Sequence, residues 1–134
     1  MKKVTPQEAK ALQDAGWTYV DVRSEPEFTQ GHPAGALNVP LLHAGAGGMS
    51  PNPDFLAVML GNFKKDAKLV LGCMAGKRSA NAGALLESNG YTQLADQAAG
   101  WGGPGGKGWC GSGLPEGTGS PAGKSYGDLA KKKG

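Results

Sequence analysis

Apolar positions along this chain come in short blocks, most of them closed by a glycine or a proline, and the blocks alternate between two periods. Thr5-Pro6-Gln7-Glu8 opens a first helix: Thr5 caps it, Pro6 suits the first helical position, and Glu8 completes a capping box. That helix is expected to run through Leu12 and to end at Gly16. Trp17 to Val22 is aromatic and β-branched and reads as a strand. Ser24-Glu25-Pro26-Glu27 repeats the capping pattern and predicts a short helix stopped by Gly31. Ala36 to Val39 predicts a short strand closed by Pro40, and residues 44–53 predict a loop. Asn52-Pro53 opens a helix carrying Phe55, Leu56, Val58, Met59 and Leu60. Lys68 to Gly72 is a short apolar run fit for a buried strand. Ser79 to Asn89 predicts a helix with Ala82, Leu85 and Leu86 on one face and Gly90 at its C-terminus. Tyr91 to Ala95 predicts a further strand, and beyond Gly100 no period returns until Tyr126 to Ala130, enough for one helical turn.

Helices alternating with short apolar strands imply an α/β fold: a central, mostly parallel sheet flanked by helices in three layers. A length of 134 residues suits one domain. Composition changes that picture only at one end. Glycine numbers 24, of which residues 98–134 hold 13, so the excess lies in the last quarter. The expected organisation is therefore a domain over residues 1–116 and a Gly/Lys-rich tail over 117–134. Trp101, Trp109, Leu114 and Pro115 interrupt the glycines with apolar anchors. They predict an irregular segment pinned at its tryptophans, over the sheet edge or near the loop described next, with residues from about 118 to 124 free to move.

Several classes of function fall away. No apolar stretch reaches the roughly 18–20 residues of a membrane span. The basic start, Met1-Lys2-Lys3, is followed by no apolar region of a secretory signal. A cytoplasmic protein without a membrane partner is the expectation. The net charge is +3 and no basic patch is interleaved with aromatics, so nucleic acid is not an expected partner. Cys73 and Cys110 cannot make a disulfide framework. His32 and His43 have no metal-ligand spacing with either cysteine, so neither a metal nor a cofactor is expected.

Candidate chemistry concentrates in Leu69-Val70-Leu71-Gly72-Cys73-Met74-Ala75-Gly76-Lys77-Arg78-Ser79. A buried strand delivers a cysteine to its carboxyl end, where open α/β sheets bind ligands. A short loop follows, able to turn its N–H groups inward as an anion cradle, and a helix N-terminus adds its positive dipole end. Lys77 and Arg78 add charge. Each feature favours a thiolate, hence nucleophilic attack on an anionic substrate. The bland reading of Cys73 is a small buried hydrophobe at a strand end. Both stand on these grounds alone.

The segment from Cys73 to Ser79 resembles the active-site loop of single-domain rhodaneses, the thiosulfate sulfurtransferases. Asp21-Val22-Arg23-Ser24-Glu25-Pro26-Glu27-Phe28 and Gly31-His32-Pro33-Ala34-Gly35-Ala36-Leu37-Asn38-Val39-Pro40 are similar to that family's first and second signatures. Leu85-Leu86-Glu87-Ser88-Asn89-Gly90-Tyr91 resembles the passage after its catalytic loop. The resemblance covers roughly residues 4–116. It departs at Ala98-Ala99-Gly100-Trp101, where the family usually has paired glycines, and at Pro33, where an aliphatic residue is commoner.

The resemblance implies a rhodanese fold and a reaction in which Cys73 takes a sulfane sulfur from thiosulfate or a related persulfide donor. The sulfur then passes to cyanide or a thiol, a protein thiol included. Met74, Ala75, Gly76, Lys77, Arg78 and Ser79 would bind substrate, with Lys77 and Arg78 attracting the dianion unless Arg78 turns into the fold. Asp21 and Arg23 are expected as structural support of that loop. Cys110 is either a resolving thiol or a bystander. Two alternatives remain open: a persulfide carrier with little thiosulfate turnover, and an arsenate reductase or phosphatase. The latter use a loop with five residues between Cys and Arg. Here four intervene, and the resemblance implies a tighter cradle sized for sulfur transfer.

Overall fold

The computed structural model describes residues 1–102 and 107–134. A parallel sheet holds β1 (Lys2–Val4), β2 (Thr18–Asp21), β4 (Leu37–Asn38), β7 (Leu69–Gly72) and β8 (Leu94–Gln97) in the order β1-β8-β7-β2-β4. The α/β expectation and its parallel sheet are met, with β7 at the centre. Alternate residues face opposite layers. Val20, Leu69, Leu71 and Leu94 pack under α3 (Phe55–Asn62), α4 (Lys77–Ser88) and α5 (Tyr126–Leu129). Tyr19, Val70 and Ala95 pack on the other face with α1 (Pro6–Asp14), α2 (Glu25–Gln30) and the fully buried Trp109.

Both predicted N-terminal boxes form: Thr5 with Glu8, and Ser24 with Glu27. Other boundaries move for identifiable reasons. The helix expected from Ser79 starts at Lys77, because Gly76 caps it. Leu85 is 38% exposed, since the buried stripe runs through Ala82 and Leu86, four residues apart. The last sheet strand is shifted from Tyr91–Ala95 to Leu94–Gln97, register-matched to β7. The loop expected over 44–53 is largely a hairpin, β5 (Leu42–Gly45) and β6 (Gly48–Pro51), turning at Ala46-Gly47. Its strands are mostly exposed and lack apolar alternation, so the usual strand signal is missing.

The glycine-rich segment is pinned at its tryptophans in the described residues on either side of 103–106, which lie outside the described residues. Trp109 donates from Nε1 to Pro115 O at 2.9 Å, and full burial of a ring removes about 150–250 Å² from water, worth about 4–6 kcal/mol. Further on, β9 (Glu116–Gly117) pairs antiparallel with β3 (His32–Pro33). Gly119 N donates to Thr29 O, Asn38 N donates to Lys124 O, and Leu129 is buried in the main core. Residues 117–130 thus lie along the domain's surface with specific bonds.

Candidate active site

Strand β7 ends at Gly72 and presents Cys73 at the carboxyl edge of the sheet's centre. The chain then turns into α4 within three residues. Gly76 makes that turn possible at φ +101°, a conformation side-chain-bearing residues rarely adopt. A Cβ there would also stand 2.5 Å from Ala98 O. The segment just after β8 supplies the floor of the loop: Trp101 N donates to Cys73 O at 2.7 Å and Gly102 N to Met74 O at 2.9 Å. Gly100, at φ +67°, lies so close that a Cβ would sit 2.5 Å from Met74 O. Of the stretch Ala98-Ala99-Gly100, the position that needs glycine therefore has it. Gln97 locks the turn, accepting from Gly100 N and donating to Gly100 O, both at 2.9 Å.

Cys73 is 2% exposed. Its Sγ accepts the Gly76 N–H at 3.1 Å and lies 3.5 Å from Ser79 Oγ, whose hydroxyl donates to Gly76 O at 3.2 Å. The amino end of α4, twelve residues long, adjoins this sulfur, so a fixed positive dipole faces any negative charge on it. Of the residues singled out in the sequence, Gly76 and Ser79 are brought to Cys73. Ala75 and Lys77 are exposed. Arg78 turns into the fold: it holds Glu27 through two bonds, Nη1 to Oε1 at 2.7 Å and Nη2 to Oε2 at 3.1 Å. Burial works against the Glu27 carboxylate, but the Arg78 and Ser24 hydrogen bonds outweigh it and hold the carboxyl down at about 2. Glu27 in turn raises the Arg78 guanidinium above its ordinary value.

Asp21 and Arg23 form a second, fully buried pair. Arg23 Nη2 donates to Asp21 Oδ2 at 2.7 Å and to Gly31 O at 2.6 Å, while Nε bonds both carboxylate oxygens. Asn38 Nδ2 ties the backbone carbonyls of both residues. The guanidinium carbon stands 5.1 Å from the Trp101 ring centroid, so this pair also supports the loop's floor. His32 is buried, its ring stacked on Phe28 with Nδ1 2.7 Å from Phe28 O. Tyr19 lies beneath Gly72, and burial, with the Asp21 charge, pushes its hydroxyl above the ordinary value.

Arg23, Glu27, Met74, Trp101, Cys110 and Glu116 line a pocket of about 330 Å³ beside the loop. Cys110 is exposed there, its N–H bonded to Trp101 O at 3.0 Å. Among the described residues, no three His, Cys, Asp or Glu side chains gather as a metal site, and no helix is long and apolar enough to cross a membrane. The sequence placed Glu27 in a helix-capping pattern and Trp101 as an apolar anchor near the loop, without the partners each has here, and passed over Asp96. Asp96 had a readable signal: an ionisable side chain one residue beyond a stretch of strand character.

The model of the Rhodanese-like domain family matches residues 5–103. Thiosulfate sulfurtransferase 16, chloroplastic, of Arabidopsis thaliana is 42% identical over 101 residues, covering 75% of this chain and 80% of the relative. The mitochondrial protein HIGH ARSENIC CONTENT 1 of the same plant is 37% identical over 93 residues, 69% of this chain and 55% of the relative. Further curated plant relatives are spanned to about half their length. The crystal structure of Rv0390 from M. tuberculosis superposes with a TM-score of 0.75 at 24% identity, covering 89% of this chain and 98% of that one.

Proposed function

The chain belongs to the rhodanese-like family of sulfurtransferases, and from that premise we propose that it moves sulfane sulfur from thiosulfate, or a related persulfide donor, by way of Cys73. The observation that carries this reading is the setting of one sulfur atom. Cys73 Sγ sits at a strand's carboxyl end with the Gly76 N–H 3.1 Å away and the amino end of α4 beside it. The Cys73 thiolate attacks the outer sulfur of thiosulfate; the S–S bond breaks and sulfite leaves with the electron pair. The Gly76 N–H and the helix dipole hold the negative charge on the resulting persulfide, a preorganised electrostatic role. Lys77, exposed beside the loop, draws the dianion in. An acceptor, cyanide or a thiol, then attacks the terminal sulfur and the Cys73 thiolate departs. The pocket beside Met74 gives a thiol acceptor larger than cyanide a place to lie.

Burial of the sulfur favours a second reading, a persulfide carrier that loads and delivers sulfur with little free thiosulfate turnover. A phosphatase or arsenate reductase finds less support. Four residues separate Cys73 from Arg78, and Arg78 is committed to Glu27 rather than free above the thiol for a tetrahedral oxyanion. The test is incubation with thiosulfate followed by intact mass measurement, then steady-state assay with cyanide. Wild type should gain one sulfur atom and Cys73→Ser none. Turnover marks an enzyme, loading alone a carrier. Absence of loading in wild type, or arsenate reduction instead, would overturn the reading.

A further inference from the structure

Gln97, the last residue of β8, is uncharged, completely buried and in register with Gly72, the residue before Cys73. The reaction above gives it no task. Its side-chain amide makes three bonds: Oε1 accepts the Gly100 N–H at 2.9 Å, Nε2 donates to Gly100 O at 2.9 Å, and Nε2 also donates to the Tyr19 hydroxyl at 3.2 Å. These partners lie under both ends of the Cys73 position. The Tyr19 hydroxyl lies against Gly72 and leaves no room there for a Cβ. Gly100 leads into the floor, whose Trp101 and Gly102 N–H groups bond Cys73 O and Met74 O. Gly100 turns at φ +67°, and without a Cβ it has many other conformations open to it. The backbone bond from Gly100 N to Gln97 O, at 3.0 Å, holds one side of the turn only. The Gln97 amide grips both the N–H and the C=O of Gly100 and so selects one conformation.

We infer that Gln97 is a positioning residue for Cys73: by fixing Gly100 it fixes the floor, and through the floor it keeps the Cys73 and Met74 carbonyls turned from the sulfur. The inference rests on Cys73 being the reacting thiol. A peptide unit is planar and trans, so its N–H points opposite to its C=O. With Cys73 O and Met74 O bonded to the floor, the N–H groups of Met74 and Ala75 face away from it, and neither bonds a described residue. Among the described residues the sulfur bonds the Gly76 N–H and Ser79 Oγ, and no carbonyl. The loop thus offers donors to the charge that Cys73 carries as thiolate or persulfide, and donors favour the charged form. A floor that shifts frees both peptide units to rotate. Each oxygen then turned toward the sulfur replaces a favourable dipole with an unfavourable one.

The charged and titratable groups around Cys73 are Lys77 and Arg78 on α4, Tyr19, Asp21 and Arg23 on and after β2, and Asp96 on β8. Arg78 is paired with Glu27 and Asp21 with Arg23. Gln97→Met alters none of these charges and keeps the length of the side chain, so a change in thiol acidity is traceable to the loop's backbone.

The experiment follows the rate of iodoacetamide alkylation of Cys73 against pH, read on its peptide by mass spectrometry, for wild type, Gln97→Met and Tyr91→Phe. Tyr91 lies beyond the other end of β8, where its hydroxyl bonds Met59 O and Phe63 O, so Tyr91→Phe removes buried hydrogen bonds without touching the floor. The midpoint of Gln97→Met should rise by about one pH unit, about a tenfold loss of thiolate at pH values below it, while Tyr91→Phe keeps the wild-type midpoint. An unmoved midpoint in Gln97→Met overturns the proposal. So does an equal shift in Tyr91→Phe, because general loosening of the fold then explains both. Amide hydrogen exchange on wild type needs no variant to fold: the Trp101 and Gly102 N–H groups should exchange slowly although they lie outside any helix or strand. Free exchange there also overturns the proposal. Alkylation reads the thiolate whether or not sulfur is transferred, so a wild type that takes no sulfur from thiosulfate counts against the function above and not against this positioning.

Discussion

Two buried aspartates flank the Cys73 loop, and their surroundings are opposite. Asp21, at the end of β2, is saturated: Arg23 bonds both its carboxylate oxygens, its Oδ1 also accepts the Arg23 backbone N–H, and Asn38 secures the backbone on either side. Asp96, on β8, is equally buried but has no arginine on it, and its Oδ1 has no hydrogen-bond partner. A saturated ion pair has one arrangement and holds geometry. An unsaturated acid has a proton to place and several ways to place it. The side of the site bearing Asp21, Arg23 and the Glu27–Arg78 pair is therefore framework, and the side bearing Asp96 and Ser79 is the adjustable one.

The largest effect that tests this contrast is loss of Asp21. Asp21→Asn keeps the shape but leaves the Arg23 guanidinium buried with no counter-charge. Breaking one partner of such a pair costs about 3–5 kcal/mol. At a few degrees per kcal/mol for a chain of this size, thermal unfolding should fall by about 10 °C or more. A drop of only a degree or two would show that solvent reaches Arg23, and would end the distinction between the two sides.

The framework side was more legible in the chain than the adjustable side. The capping pattern Ser24-Glu25-Pro26-Glu27 is local, and it placed α2 correctly; so did the apolar run before Cys73 for β7. The pairing of Glu27 with Arg78 joins residues 51 apart, and no local pattern specifies it. The floor of the loop is equally remote, since Trp101 and Gly102 reach Cys73 and Met74 from the next crossover. Asp96 was missed because β8 owes its register to β7 rather than to its own composition. What could be read was the order strand, cysteine, glycine, helix start, because that geometry is built from neighbours in sequence.

A smaller effect separates the two ion pairs within the framework. The Glu27–Arg78 pair keeps some contact with solvent rather than being sealed, so Glu27→Gln should cost about 1–3 kcal/mol at neutral pH, less than loss of Asp21. Its pH dependence has a definite sign. The Glu27 carboxyl is held at about 2 in the folded chain against 4.5 as its ordinary value, with burial opposing and the Arg78 and Ser24 bonds prevailing. The stabilisation is fully present above 4.5 and is lost as pH falls toward 2. Urea midpoints of wild type and Glu27→Gln should differ at pH 7 and converge below pH 4.5. A gap that stays constant would mean the ionic pair contributes nothing beyond its hydrogen bonds.

The smallest effect, and opposite in sign, belongs to Asp96. Burial raises its carboxyl above the ordinary 3.8, so the folded chain binds that proton more tightly than the unfolded chain does. Such a group favours folding while protonated and penalises it once ionised, and the penalty grows as pH climbs above 3.8 through the raised value. Asn cannot ionise, so Asp96→Asn escapes the penalty while keeping the shape of the side chain. The variant should be close to wild type near pH 4 and gain on it toward pH 7, the reverse of Glu27→Gln over the same range. Thermal midpoints of both variants on one pH axis would lie close together in acid and fan apart toward neutral pH, Asp96→Asn above wild type and Glu27→Gln below it. If instead Asp96→Asn loses stability steadily with rising pH, then the ionised carboxylate is a bonded part of the framework like Asp21. The adjustable side of the site would then not exist.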